Sequence, residues 1–216
     1  MRKEISKAQL GVYSDLFTLA PSRAQRRMLQ ILEAAIRNYC TIGIENTTYD
    51  SIAKTCKISR SLIQHYFQDK DEIFEMVVKY IRVQYQQYAI KAFQQKEDPK
   101  ERLMAYAESA VRWIHDYPNY QKVWNLFYYY CGVNARWRNL ETELVTLGHN
   151  RITALLQAGA DQGIFPGDHL SKRAKQIQVL ITGAIVTGST EDLPVDFEEF
   201  CKNTVEGCLT LALSPQ

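Results

Sequence analysis

The sequence predicts an all-α fold of about nine helices, with a short three-helix N-terminal domain followed by a larger helical one. Three observations predict it. Apolar residues recur at steps of three and four along nearly the whole chain, without the sustained alternation of a strand. Helix-start signals punctuate that pattern at regular intervals. Hydrophobic residues make up 46% of 216 and charged residues 23%, which supplies a core and argues against global disorder.

The first helix opens at Ser22, where Gln25 completes a capping-box pattern, and carries the stripe Met28, Ile31, Leu32, Ala35, Ile36, Tyr39. Gly43 follows its end. Thr47 with Asp50 opens a short helix through Cys56, and Ser59 caps a third through Phe67. Asp69 with Glu72 opens a long fourth helix running to about Gln95. Asp98-Pro99-Lys100-Glu101 combines an N-cap acid, proline at the first helical position and an acid at the third, and Tyr117-Pro118 stops that helix. Further helices are expected over 119–131, 135–160, 170–187 and 195–213, the middle two of these divided from each other by Gly163–Asp168. Pro194 and the acids Asp196, Glu198 and Glu199 suit the positive end of the last helix dipole. The expected division is an N-terminal extension over 1–21, a helix-turn-helix domain over 22–70 and a larger helical domain over 71–216.

The net charge of +2 conceals an asymmetry. Residues 21–70 carry eight Lys/Arg and four acids, whereas 71–216 are net acidic, a distribution that points to a polyanion partner. The five cysteines, Cys40, Cys56, Cys131, Cys201 and Cys208, form no CxxC pair, and the four histidines are dispersed. This pattern implies reduced thiols, no metal site and no cofactor. Met1–Ala20 lacks a continuous apolar stretch and Gln176–Thr190 is too short to span a bilayer, so a cytoplasmic protein without a membrane partner is expected.

Residues 47–70 read TTYDSIAKTCKISRSLIQHYFQDK. Two short helices join at a tight turn near Lys57-Ile58, with Ile52, Ala53, Ile58, Ile63 and Phe67 as their shared core. This is the size and patterning of a helix-turn-helix, whose second helix enters the DNA major groove. Ile63 and Phe67 are four apart and face inward, which leaves Ser61, Leu62, Gln64 and His65 outward, with Ser59 and Arg60 at the tip. Arg60 suits guanine, Gln64 adenine and Leu62 a thymine methyl. A solvated helix end with one stray leucine fits the rotation as well. The flanks favour the first reading: Thr47, Thr48 and the Asp69-Lys70 step lie at helix N-termini, which suit phosphates, and Thr48, Tyr49, Tyr66 and Lys70 add side-chain donors.

Residues 24–80 resemble the N-terminal domain of the TetR family of regulators. The resemblance rests on Ala34-Ala35, Gly43 followed by Thr47-Thr48, Ile52-Ala53, Ile58-Ser59-Arg60, and Phe67 with Lys70. Two departures stand out. Many members have glycine where this chain has Lys57, and many have Tyr and His at the positions of Gln64 and Tyr66. Lys57 in the turn can reach a phosphate. The resemblance implies a sequence-specific DNA-binding transcriptional regulator, a repressor, with a divergent helical C-terminal domain whose last two helices form a dimer. It further implies a near-palindromic double-stranded operator and an effector pocket among the central helices.

That domain is rich in aromatics, including Trp113, Tyr117, Tyr120, Trp124, Phe127, Tyr128, Tyr129, Tyr130 and Trp137. Most are expected in the core. The residues put forward for the pocket are Glu108, Arg112, Trp113, Tyr117, Trp124, Phe127 and Tyr128, with His115 and Asn125 as further polar groups, and a small hydrophobic or aromatic effector suits them. The helix at 170–187 carries Ala174, Ile177, Leu180, Ile181, Ala184 and Ile185, and the last carries Phe197, Phe200, Val205, Leu209 and Leu211. Pairs of them from two subunits fit a four-helix homodimer interface with Ile181 and Leu209 in it; internal core is the other reading. Lys57 and Gln64 keep open a helical interaction or small-molecule carrier protein whose first domain no longer binds DNA. No nucleophile motif, glycine-rich phosphate loop or HExxH pattern supports an enzyme.

Overall fold

The computed structural model of the protein describes residues 22–190 and 196–214. The expected extension over 1–21 and the helix start at Pro194 lie outside these residues. Every regular element described is helical: α1 Arg23–Thr41, α2 Tyr49–Cys56, α3 Arg60–Tyr66, α4 Lys70–Phe93, α5 Pro99–Asp116, α6 Pro118–Val133, α7 Ala135–Ala160, α8 Leu170–Thr190 and α9 Phe197–Leu213. The chain divides into two compact units. One holds the described residues up to Gln86 together with Asn119–Tyr128, and the other holds Gln87–Pro118 together with the described residues from Tyr129 onward.

In the first unit the helix signals act locally. Ser22 caps α1 in a reciprocal capping box with Gln25. The α1 residues Ile31, Leu32, Ala34, Ala35 and Ile36 are buried, and so are Ile52 and Ala53 of α2, Ile63 of α3 and Ile73 and Val77 of α4. Gly43 takes φ of 80°, the left-handed turn that glycine makes at no steric cost. The second capping box is one residue later than expected. Thr48, not Thr47, is the N-cap, and Ser51 closes the box. Thr47 is buried because its hydroxyl donates to the Gly43 carbonyl at 2.8 Å, inside the turn.

In the second unit Asp98 caps α5 as expected, and Asp196, expected among the acids at the start of the last helix, is the N-cap of α9. Helix α9 packs on α5 and α8, α8 on α7, and α5 on both α7 and α8. Gly159 of α7 admits the Phe165 ring: a Cβ there would stand 2.2 Å from Cδ2 of Phe165. Ala174, Ile177 and Ile181 of α8 face this unit's core. Ile181 is only 5% exposed, which corrects the expectation of a partner-facing residue. The outward stripe of α8 lies further round the helix at Val179, Gly183 and Val186, and Leu213 is exposed on α9. Among the described residues no helix is long and apolar enough to cross a membrane.

Candidate nucleic-acid interface

Helix α2 is only 8 residues long and α3 only 7, too short to persist alone. Their shared core holds them. Ile63 and Phe67 are 0% and 2% exposed, and burying each contributes about 1.5–3 kcal/mol. Asn38 of α1, itself buried, ties α1 to α2 by donating to Ser51 Oγ at 3.2 Å and accepting from Thr55 Oγ1 at 2.9 Å. Gln30 adds a bond to the Cys56 carbonyl at 2.9 Å. These polar ties were not legible in the apolar pattern, because a surface-type residue gives no sequence signal of burial.

Lys57 ends α2 in the left-handed region, φ 57° and ψ 46°. Its backbone N–H bonds the end of α2 and its side chain is exposed. Ser59 then caps α3 by accepting from the Leu62 N–H at 3.2 Å. With Ile63 turned in, Arg60, Ser61, Gln64 and His65 are exposed and Leu62 and Tyr66 half-buried. Arg60 Nη1 donates to Asp50 Oδ2 at 2.9 Å. Tyr49 bonds weakly from its hydroxyl to the Phe67 carbonyl at 3.4 Å. Burial, then the charges of Asp69 and Glu72, raise its phenol pKa, and Arg60 opposes them. At the start of α4, Asp69 Oδ1 accepts from the Glu72 N–H at 2.7 Å and Glu72 Oε2 accepts from the Gln68 N–H at 2.6 Å. Lys70 is exposed there, as is Thr48 at the start of α2. Within this same unit the Glu33 carboxylate accepts from both Tyr80, at 2.7 Å, and Tyr120.

The residues put forward for an effector pocket fall in both units. Glu108, Arg112, Trp113 and Tyr117 belong to the second, Trp124, Phe127 and Tyr128 to the first. Arg112 is committed to ion pairs: Nε donates to Glu108 at 2.7 Å and the two Nη atoms grip Glu198. Trp113 and Tyr117 stack with centroids 4.2 Å apart, and Tyr88 meets both edge-on. The Tyr88 hydroxyl donates to Asp116 at 2.5 Å, a bond that holds the carboxyl below its usual range. In the first unit Trp124 lies edge-on to Phe127 and Tyr128, and Phe127 is fully buried. A groove in the second unit, lined among others by His149, His169, Lys172 and Lys175, contains none of the expected pocket residues.

A buried two-helix core that presents a polar face next to capped N-termini defines a helix-turn-helix, DNA-binding transcriptional regulator. Residues 31–77 match the family model described as "Bacterial regulatory proteins, tetR family". The chain is similar to the HTH-type transcriptional regulator BetI of Burkholderia ambifaria, 23% identical over 171 residues, 79% of this chain and 86% of that one. It shares its fold with a TetR transcription regulator from Haloarcula marismortui, with TM-score 0.75 and 16% identity over 87% of this chain and 96% of that one. A transcriptional regulator from Saccharomonospora viridis in complex with choline superposes with TM-score 0.74 at 19% identity, over 84% and 94% of the two chains. Residues 31–77 thus form a DNA-binding domain of the kind found in the TetR family of bacterial regulatory proteins. Its function is regulatory and not enzymatic.

Proposed function

We propose that the protein is a homodimeric, ligand-responsive repressor that acts in the cytoplasm on a near-palindromic operator. The DNA-binding head is residues 22–70. The observation that carries the reading is the exposed row Arg60, Ser61, Gln64 and His65 on a helix whose other face, Ile63, is fully buried. Arg60, Gln64 and Leu62 read base edges, with Ser59, Ser61 and His65 beside them. Thr48, Tyr49, Lys57, Tyr66 and Lys70 contact phosphates and set the register. Thr47 contributes through the turn it holds. The outward stripe of Val179, Gly183 and Val186 with Leu213 supports a two-fold interface through α8 and α9.

The effector is small and bears an apolar or cationic group. Choline in the Saccharomonospora viridis regulator supports an organic cation. The test is selection of duplexes from a random pool by the full chain. Enrichment of two inverted half-sites about one helical turn apart, ~34–36 Å, is expected. No enrichment at low salt would leave the carrier reading in its place. Choline titrated onto the selected complex then tests the effector class, with release expected.

A further inference from the structure

Arg60 opens α3 at the end that this docking mode turns toward the bases. It does not extend freely there: its Nη1 donates to Asp50 Oδ2 at 2.9 Å. Asp50 lies in the first turn of α2, where the helix dipole favours a carboxylate. The two side chains stay 55% and 67% exposed. An ion pair so open to water contributes almost nothing to stability, because screening and the ordering of two side chains offset the attraction. Its consequence is geometric. An arginine side chain is long and free to rotate, and a carboxylate on one guanidinium nitrogen orients the whole planar fork and its remaining N–H donors.

We propose that Asp50 is a positioning residue for sequence reading, holding the Arg60 guanidinium so that its open edge meets a guanine. The proposal rests on Arg60 as a base-reading residue. Asp50 has a second effect of the same origin. Binding to arbitrary DNA is almost wholly attraction to phosphates, and a carboxylate on the binding face opposes it. Asp50 thus raises discrimination by ordering the reader for the correct sequence, while its charge opposes phosphate attraction on every duplex alike.

The test compares the full chain with Asp50→Asn on the selected duplex and on a scrambled duplex of equal composition. Asp50→Asn is expected to weaken the selected duplex by about threefold to tenfold and to tighten the scrambled one by about twofold. Opposite signs separate the idea from its rivals, since damage to the fold weakens both and a simple change in charge tightens both. Asp50→Glu, which keeps the carboxylate, should restore part of the discrimination. In an Arg60→Ala background Asp50→Asn should leave the preference at the guanine position unchanged. The proposal is overturned if both affinities move the same way, if neither moves, or if the loss of discrimination persists without Arg60. Arg60→Ala that leaves the ratio of the two affinities unchanged sinks instead the base-reading role beneath it.

Discussion

Arg112 grips Glu198 with both ends of its fork, Nη1 at 2.9 Å and Nη2 at 2.7 Å, and so joins α5 to the first turn of α9. Its Nε holds Glu108 at the same time. The guanidinium draws the Glu198 carboxyl below its usual range, mainly through these hydrogen bonds.

A pH dependence of stability follows. A carboxyl with a depressed folded pKa stabilises above its unfolded value, about 4.3, and loses that contribution as pH falls through the folded value. Glu198→Gln should therefore melt earlier than the unaltered chain near neutral pH. The two melting temperatures should converge as the solution is acidified below about pH 4. A gap that stays constant across thermal melts would show that the pairing is not its source.

Lys57→Gly should stabilise the protein by about 1 kcal/mol in urea unfolding. Lys57 occupies φ 57° and ψ 46°, a region that costs a side-chain-bearing residue about 1–2 kcal/mol and glycine almost nothing. Part of that gain is offset because glycine also has a freer unfolded chain. A loss of stability would mean that the lysine stem makes compensating contacts.

Lys70→Ala should weaken binding to selected and scrambled duplexes alike, and flatten the salt dependence of binding by about one unit of slope. Lys70 is exposed at the start of α4, off the outward row of α3. Loss confined to the selected sequence would place it against a base instead.

Charge placed on α8 should act differently at neighbouring positions. Val179→Asp, on a residue 60% exposed, should give a folded monomer in sedimentation that binds DNA weakly. Ile181→Asp, at 5% exposure, should unfold the second unit, since an unpaired buried carboxylate is costly. A dimeric Val179→Asp variant would move the interface to another face.

These two residues also show what was legible in the sequence. Local periodicity is written in one helix, so Ile63 and Phe67 were readable as inward at four-residue spacing, and Asp98-Pro99 as a helix start. On α8 the core stripe and the outward stripe use the same residue types, and periodicity alone does not say which one meets a partner. Adjacent Thr47 and Thr48 have equal capping chemistry, and the Gly43 carbonyl that settles between them is a feature of the folded turn. The Asp50–Arg60 and Asn38–Thr55 pairs join different helices, and no spacing rule within one helix reaches them.

Arg173 gives the end of α9 an unexpected standing. Its side chain is 0% exposed, and the guanidinium donates to the carbonyls of Pro166, Asp168 and Ser214 and to the Asp168 carboxylate. The carbonyl of Ser214, just past the final helical turn, is thus one of the acceptors around a buried cation. Trimming the chain before that residue is electrically equivalent to leaving a buried positive charge short of a ligand, a more severe change than shortening an exposed helix end. The end of α9 is here an internal component, and the loop over 163–168 and the tail of α9 stand or fall together through one side chain.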